Sequence, residues 1–248
     1  MPLQPRRLGW ERDGFFVVPN LIELARIAAL VEACDHVLSQ VRARSQNTGH
    51  STTHIAGLLA PEYFTHRPEL LARLIDVASS REVLGLIHDL GSPHEGALQF
   101  RTAHYFHEPS ERDYDGAWHR DGDETELPRF PAGPAAAPRS TSLRVRLPFA
   151  HDDHLEIVPG SHRRDDTAEE LQLRRGRVRN AKNALGAIRI ELVPGDVCVF
   201  DTWTIHRGRY RQAAPRRTLD LVFGFGTPKS HYVDLLRGLL SELGPHRR

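Results

Sequence analysis

Residues 193–206 read Val193-Pro194-Gly195-Asp196-Val197-Cys198-Val199-Phe200-Asp201-Thr202-Trp203-Thr204-Ile205-His206. The Pro-Gly pair fits a type II turn: proline presets the second position and glycine supplies the positive φ of the third. The apolar run Val197–Phe200 then reads as a buried strand, with His206 a few residues beyond its end. The same turn recurs at Val158-Pro159-Gly160-Ser161, after the short run Leu155–Val158. Further β-like runs are Ala97–Phe106, Ser142–Phe149, Ala187–Val193 and Thr218–Phe223. The expectation is a core of about six to eight short strands.

Upstream the pattern is different. Gly14–Pro19 (GFFVVP) reads as one short strand, and Asn20 with Glu23 fits a capping box that starts a helix. Its apolar positions Leu21, Leu24, Ile27, Ala28, Val31, Leu38 and Val41 recur mostly at helical spacing. Pro68 suits the first turn of a second helix carrying Leu70, Leu71, Leu74 and Ile75. Ser79 and Glu82 suit the start of a third, with Val83, Leu84, Ile87 and Leu90, and Gly91 suits its end. Leu127–Arg139 is rich in Pro and Ala and has no period, so it reads as a loop that could act as a lid. Tyr232–Leu243 reads as a final amphipathic helix. No repeat or linker is visible. One domain over residues 1–248 is expected: a helical part over about 1–92, a β core over about 93–226, and a C-terminal helix over about 229–243.

Composition removes several classes. Against 32 acidic residues stand 33 basic ones, a net charge of +1, which is too balanced for a broad nucleic-acid-binding face. No stretch reaches the roughly 18 apolar residues of a membrane span. The N-terminus lacks the apolar core of a signal peptide. Cys34 and Cys198 make no CxxC pair and no disulfide framework, so a reducing cytoplasm is the default location. All but two of the basic residues, Lys182 and Lys229, are Arg. GC-rich codons on a solvated surface account for most of that excess. Individual forked guanidinium groups nevertheless suit carboxylate recognition.

Fifteen His direct attention to metal chemistry. In Trp118-His119-Arg120-Asp121-Gly122-Asp123, His119 and Asp121 are two apart, so on an extended strand they share a face. By itself His-x-Asp is a weak signal and is more often a surface hydrogen-bonded pair. His206, arriving from a neighbouring strand, would complete two His and one carboxylate on one side of an ion. That facial set suits non-haem Fe(II) oxygenases, although Zn²⁺ or Mn²⁺ could occupy it. Arg217 follows His206 by eleven residues, at the start of Thr218–Phe223, where a buried Arg could hold the distal carboxylate of a dicarboxylate cosubstrate. Alternation keeps Arg216 and Arg217 from pointing into one cavity. Arg216 is therefore expected in solvent, and it takes over the cosubstrate only if the strand register differs. Arg144 and Arg146 share a strand face and could bind a substrate or cosubstrate carboxylate, or face solvent. Gln99 and Arg101 pose the same question. Trp118 and Trp203 could wall a pocket or lie in plain core.

The order His119-x-Asp121, Leu155-Glu156-Ile157-Val158-Pro159-Gly160-Ser161-His162, Pro194-Gly195-Asp196, His206 and Arg217 resembles the phytanoyl-CoA dioxygenase family of Fe(II)/2-oxoglutarate-dependent oxygenases. Asp13-Gly14-Phe15-Phe16-Val17-Val18-Pro19, followed by a helix, adds to the resemblance, which runs from about Leu8 to Gly226. It implies a mainly β fold with flanking α-helices, built on a double-stranded β-helix (a jelly-roll, cupin-like core). It implies Fe(II) on His119, Asp121 and His206, with 2-oxoglutarate held by Arg217 and with O2 as co-reactant. The implied outcome is hydroxylation of a small molecule with release of succinate and CO2, in a setting such as secondary metabolism. The retained Asp121 favours hydroxylation over halogenation. Three departures stand out. Arg120 follows His119 where Gln is common, and Arg207 follows His206 where Gly is common. Asp152 and Asp153 stand where Asn-Gly is frequent. Two other classes share the ligands: a non-catalytic cupin-like metal-binding module, which does not need Arg217, and a Zn²⁺ hydrolase, for which Asp123 is the nearby general base.

Overall fold

The computed structural model describes residues 4–46, 53–90, 99–109, 111–121, 142–175, 183–214 and 216–224. The loop expected at Leu127–Arg139, the helix expected at Tyr232–Leu243 and Asp123 lie outside them.

The chain begins with α1 (Gln4–Asp13), β1 (Phe15–Val18), α2 (Leu24–Gln46), β2 (His54–Ile55), α3 (Pro68–Ala78) and α4 (Arg81–Asp89). It continues with β3 (Gln99–Phe106), β4 (Tyr114–Asp115), β5 (Ser142–Pro148), β6 (Asp152–Ile157) and α5 (Ala168–Arg175). The described part ends with β7 (Ile188–Leu192), β8 (Val197–Asp201), β9 (His206–Tyr210) and β10 (Thr218–Gly224). All pairings are antiparallel. They make a six-stranded sheet in the order β1-β8-β5-β10-β3-β2 and a four-stranded sheet in the order β4-β9-β6-β7. This is the jelly-roll plan with helices alongside. No helix among the described residues is long and apolar enough to cross a membrane.

Strand alternation explains the layering. Leu143, Val145 and Leu147 of β5 and Leu219, Leu221 and Phe223 of β10 join one apolar core with Leu30, Val37, Leu70, Leu74 and Val83 of the helices. Odd-numbered residues of these strands therefore face the helix layer. Even-numbered ones face the second sheet. Between the sheets, Cys198 and Phe200 of β8 pack on Leu155, Ile157, Ile190 and Leu192. The even positions of β5 and β10 include Arg144, Arg146, Thr218 and Asp220, so that part of the inter-sheet space is polar.

Both Pro-Gly turns have the backbone their sequence demands, with φ of 74° at Gly160 and 100° at Gly195. Two helix starts differ from expectation. Asn20 adopts φ 51° and donates its N–H to Asp196 (3.0 Å), and α2 begins only at Leu24. The chain needs that left-handed residue to turn back along the 193–196 turn, where the Ile22 N–H also donates to Gly195. The cap of α4 is Ser80, whose hydroxyl accepts from the Val83 N–H, whereas Ser79 bonds back to Ile75 of α3.

Leu221 is fully buried between β10 and the helices, whereas Leu185 is 78% exposed. Leu221→Ala is expected to cost about 2–5 kcal/mol in denaturant unfolding, and Leu185→Ala under about 0.5 kcal/mol. Equal losses would contradict the layering.

Candidate active site

His119 and His206 form an antiparallel backbone bridge, His119 N–H to His206 O at 3.0 Å and the reverse at 2.9 Å. Asp121 N–H donates to Thr202 O at 2.8 Å. Three hydrogen bonds thus join the segment carrying His119 and Asp121 to the one carrying His206. Each imidazole Nδ1 lies 2.8 Å from a backbone carbonyl, that of Ala117 for His119 and that of Thr204 for His206. A carbonyl only accepts, so each Nδ1 carries the proton and each Nε2 presents a lone pair.

Those lone pairs converge on Asp121. Its Oδ1 lies 3.3 Å from His119 Nε2 and 3.7 Å from His206 Nε2, and the three donor atoms all fall within 4.8 Å of one another. Adjacent ligands of an octahedral ion with bonds near 2.1 Å are about 3 Å apart, so the set needs little adjustment to hold one. Burial, reinforced by His119, pushes His206 down to about 3, which keeps it neutral. Burial opposes ionisation of Asp121. Arg144 above all, then His206 and His119, outweigh that and hold the carboxyl well below the usual range. Arg144 Nε donates to the outer oxygen, Asp121 Oδ2, at 2.7 Å, leaving Oδ1 to face the histidines.

Together these residues line a cavity of about 240 Å³ that is also lined by Arg146, Phe106, Tyr210, Gly208, Arg216 and Asp220. Arg144 also donates to Asp220 Oδ2 (3.2 Å). Arg146 donates to Asp152 (2.8 Å) and to Asp220 (3.4 Å). Neither arginine is in solvent: both line the cavity, as the inward-facing reading of their strand requires, and both also hold aspartates.

Arg216 is different. It is 2% exposed, its Cζ lies 4.4 Å from the Phe106 ring and 4.5 Å from the Tyr210 ring, and its Nε and Nη1 are buried without a hydrogen-bond partner. Burial pulls its pKa down because its charge is poorly compensated. Gly208 makes room for it: a Cβ there would lie 3.1 Å from Arg216 Cζ.

The expectation for Arg217 is therefore corrected. Arg217 is on the helix side, paired with Asp35 of α2 at 3.0 Å, and Arg216 enters the cavity. Alternation decides it: Leu219, Leu221 and Phe223 face the helices, so Arg217 shares their face. Trp118 and Trp203 do not wall the cavity. Trp118 packs on the reverse side with Val158, Leu173 and Ile205, and Trp203 lies against Arg120. Gln99, at the far end of β3, is not among the lining residues.

Phe106, Tyr210, Gly208 and Asp220 were not singled out by sequence. Nor was His54, which lines the cavity, stacks on Phe106 at 4.5 Å and bonds His104 at 2.9 Å. Burial and then Arg144 push these two histidines down to about 4 and about 3, so the pair is neutral. Parity could have found Gly208, two residues after His206, and Asp220, four after Arg216. His54 is brought in by a two-residue strand that carries no periodic signal.

A family model described as Phytanoyl-CoA dioxygenase (PhyH) matches residues 10–218. No curated protein matches the sequence. Among solved structures, EctD from S. alaskensis with 2-oxoglutarate and 5-hydroxyectoine is similar over 90% of this chain and 76% of its own, with 18% identity and a TM-score of 0.62. The epimerase SnoN, in complex with Fe3+, alpha ketoglutarate and nogalamycin RO, is similar over 93% and 88%, with 18% identity and a TM-score of 0.58. The non-heme alpha ketoglutarate dependent carbocyclase SnoK from nogalamycin biosynthesis is similar over 98% and 91%, with 15% identity and a TM-score of 0.61. At such identities the likeness shows the jelly-roll fold.

Replacing Asp121 by Ala removes the carboxylate on which both Nε2 atoms converge and leaves Arg144 with Asp220 as its remaining partner. Anaerobic calorimetry with Fe(II) is expected to show binding to the parent protein and none to Asp121→Ala. Equal binding would remove Asp121 from the ligand set.

Proposed function

The chain belongs to the phytanoyl-CoA dioxygenase family, whose members are Fe(II)/2-oxoglutarate-dependent oxygenases using O2, and from that premise we propose that it hydroxylates a small-molecule substrate. His119, Asp121 and His206 would hold the iron, and Arg216 would take the distal carboxylate of 2-oxoglutarate. Iron, with 2-oxoglutarate and O2, supplies the oxidising power that releases succinate and CO2 and oxygenates a C–H bond.

One observation carries the reading: a facial set of two imidazoles and a carboxylate shares its cavity with a buried guanidinium that has no acidic partner among the described residues. A metal-only module has no use for such a group, and burying it unpaired costs several kcal/mol. Charge balance agrees. Arg144, Arg146 and Arg216 stand against Asp121, Asp152 and Asp220 in this region, so a dication and a dianionic cosubstrate together leave its net charge unchanged.

The protein's own residues divide the work. The carbonyls of Ala117 and Thr204 fix the imidazole tautomers, and Arg144 restricts Asp121 to one free oxygen. Phe106 and Tyr210 hold the Arg216 plane and exclude water from it. One carboxylate oxygen and two imidazoles are the protein ligands this chain would offer, a set that would leave room at the metal for cosubstrate and O2.

Arg216→Met is expected to weaken 2-oxoglutarate binding by at least about 30-fold, the loss for truncating one partner of a buried charge pair. Arg217→Met should change it by less than about twofold. The measurement is an anaerobic titration of the Fe(II)/2-oxoglutarate absorbance band, and the reverse ranking would return the role to Arg217. A substrate screen that follows succinate separates the outcomes of the reaction. Hydroxylation requires a product that has gained one oxygen atom, and an isomer or a dehydrogenated product would replace it with epimerisation or desaturation.

A further inference from the structure

Both proposed histidine ligands are followed by a buried arginine, Arg120 after His119 and Arg207 after His206, 6% and 2% exposed. Neighbouring side chains on extended backbone point to opposite faces. The two guanidinium groups therefore leave the cavity side and enter the reverse side of the four-stranded sheet. There each lies over the tryptophan of the other ligand segment. Arg207 Cζ is 4.5 Å from the Trp118 ring, and Arg120 Cζ is 5.3 Å from the Trp203 ring. The His119–His206 bridge sets this pattern. By antiparallel register Trp118 stands opposite Arg207, and Trp203 lies diagonally across from Arg120.

Hydrogen bonds fix the arms of the cross. Arg120 Nη1 donates to the Trp203 carbonyl and to Ser161 O (2.9 Å), and its Nε and Nη2 donate to Asp166 Oδ1 at 3.1 and 2.7 Å. Arg174 of α5 also pairs with Asp166. Arg207 Nε donates to Glu156 Oε2 at 2.6 Å, and its Nη2 donates to Asn183 Oδ1 at 2.7 Å. A forked, planar cation is needed to bond in the plane of the guanidinium while lying on a ring, and Lys cannot do both. Buried ion pairs contribute little net stability compared with apolar residues of the same volume. Two of them directly behind the two histidines therefore suggest a geometric role.

We propose that Arg120 and Arg207, with Trp203 and Trp118, form a crossed clasp that sets the spacing and tilt of His119 and His206, and so act as positioning residues of the metal site. The proposal rests on the assignment of His119, Asp121 and His206 as iron ligands.

The test compares the parent protein with Arg120→Gln, Arg207→Gln, Arg120→Lys and Leu71→Ala, the last a core change in α3 remote from the site. Each is measured for melting temperature without metal, for Fe(II) affinity by anaerobic calorimetry, and for the Fe(II)/2-oxoglutarate absorbance band. Both Gln variants are expected to lose about tenfold or more in Fe(II) affinity, as for other groups that orient metal ligands, and to shift or broaden the band. Arg120→Lys should recover only part of the loss. Leu71→Ala should melt earlier and bind iron as the parent does. Fe(II) affinity and band within twofold of the parent in both Gln variants, whatever their melting temperature, would overturn the clasp. So would an equal loss in Leu71→Ala. If Arg120→Gln does not fold, Asp166→Asn loosens Arg120 without touching a ligand segment. It is expected to weaken Fe(II) binding in the same direction, and unchanged binding overturns the proposal. A parent protein that shows neither Fe(II) binding nor the band fails earlier, at the metal assignment itself, and removes the clasp with it.

Discussion

The two-residue period of the six-stranded sheet is the constraint on which the rest depends. Leu143, Val145 and Leu147, with Leu219, Leu221 and Phe223, are held against the helices by burial of nearly their whole surface. A slip of one residue in either strand would put these apolar side chains among the charges and the charges into the helix layer, so the register is strongly specified. Once it is set, Arg144, Arg146, Thr218 and Asp220 have to face the second sheet. The segment leading into β10 then delivers Arg216 to the cavity and Arg217 to Asp35. The helix layer does not line the cavity, yet through this register it decides which arginine does.

The polar part of the inter-sheet space is tolerable because almost every charge in it is matched. Moving an ion from water into a protein interior costs several kcal/mol even after relaxation. Asp220 Oδ2 accepts from both Arg144 and Arg146, and Asp152 accepts from Arg146, from the His154 N–H and from Thr218. Arg144 connects this network to Asp121, so the proposed ligand is the last member of a chain of compensated charges. Arg216 is the exception, stabilised mainly by the faces of two aromatic rings. An anion that satisfied it would enter a site where Asp121, Asp152 and Asp220 already hold arginine partners.

Much of this was legible in the sequence, for local reasons. The Pro-Gly turns require positive φ at Gly160 and Gly195, and the apolar runs required strands at β5, β8 and β10. His119-x-Asp121 needs only strand geometry to converge. What was not legible depended on contacts distant in sequence. The choice between Arg216 and Arg217 was open to parity, since the alternating Leu219, Leu221 and Phe223 mark the helix face, but the spacing from His206 pointed one residue too far. Trp118 and Trp203 look like pocket walls beside the ligands. Their true position follows from which way a two-residue period turns them. His54 could not be placed at all, because β2 is two residues long and is held only by pairing with β3. The cap of α2 was misplaced because Asn20 answers to Asp196, a residue 176 positions away.

The cavity also depends on both sheets at once. His206, Gly208 and Tyr210 come from β9 of the four-stranded sheet, while Arg216 precedes β10 of the six-stranded one. The spacing of His206 and Arg216 is therefore a spacing between layers, which depends on how Phe200 and Cys198 pack on Leu155, Ile157, Ile190 and Leu192. Interiors packed this tightly resist changes of even one methylene. The apolar contact between the sheets thus sets how far apart the two layers hold these side chains: a thinner core would drive Arg216 into Tyr210. Gly208 completes the same logic from the side, since any Cβ at that position would occupy the space in which the Arg216 side chain lies.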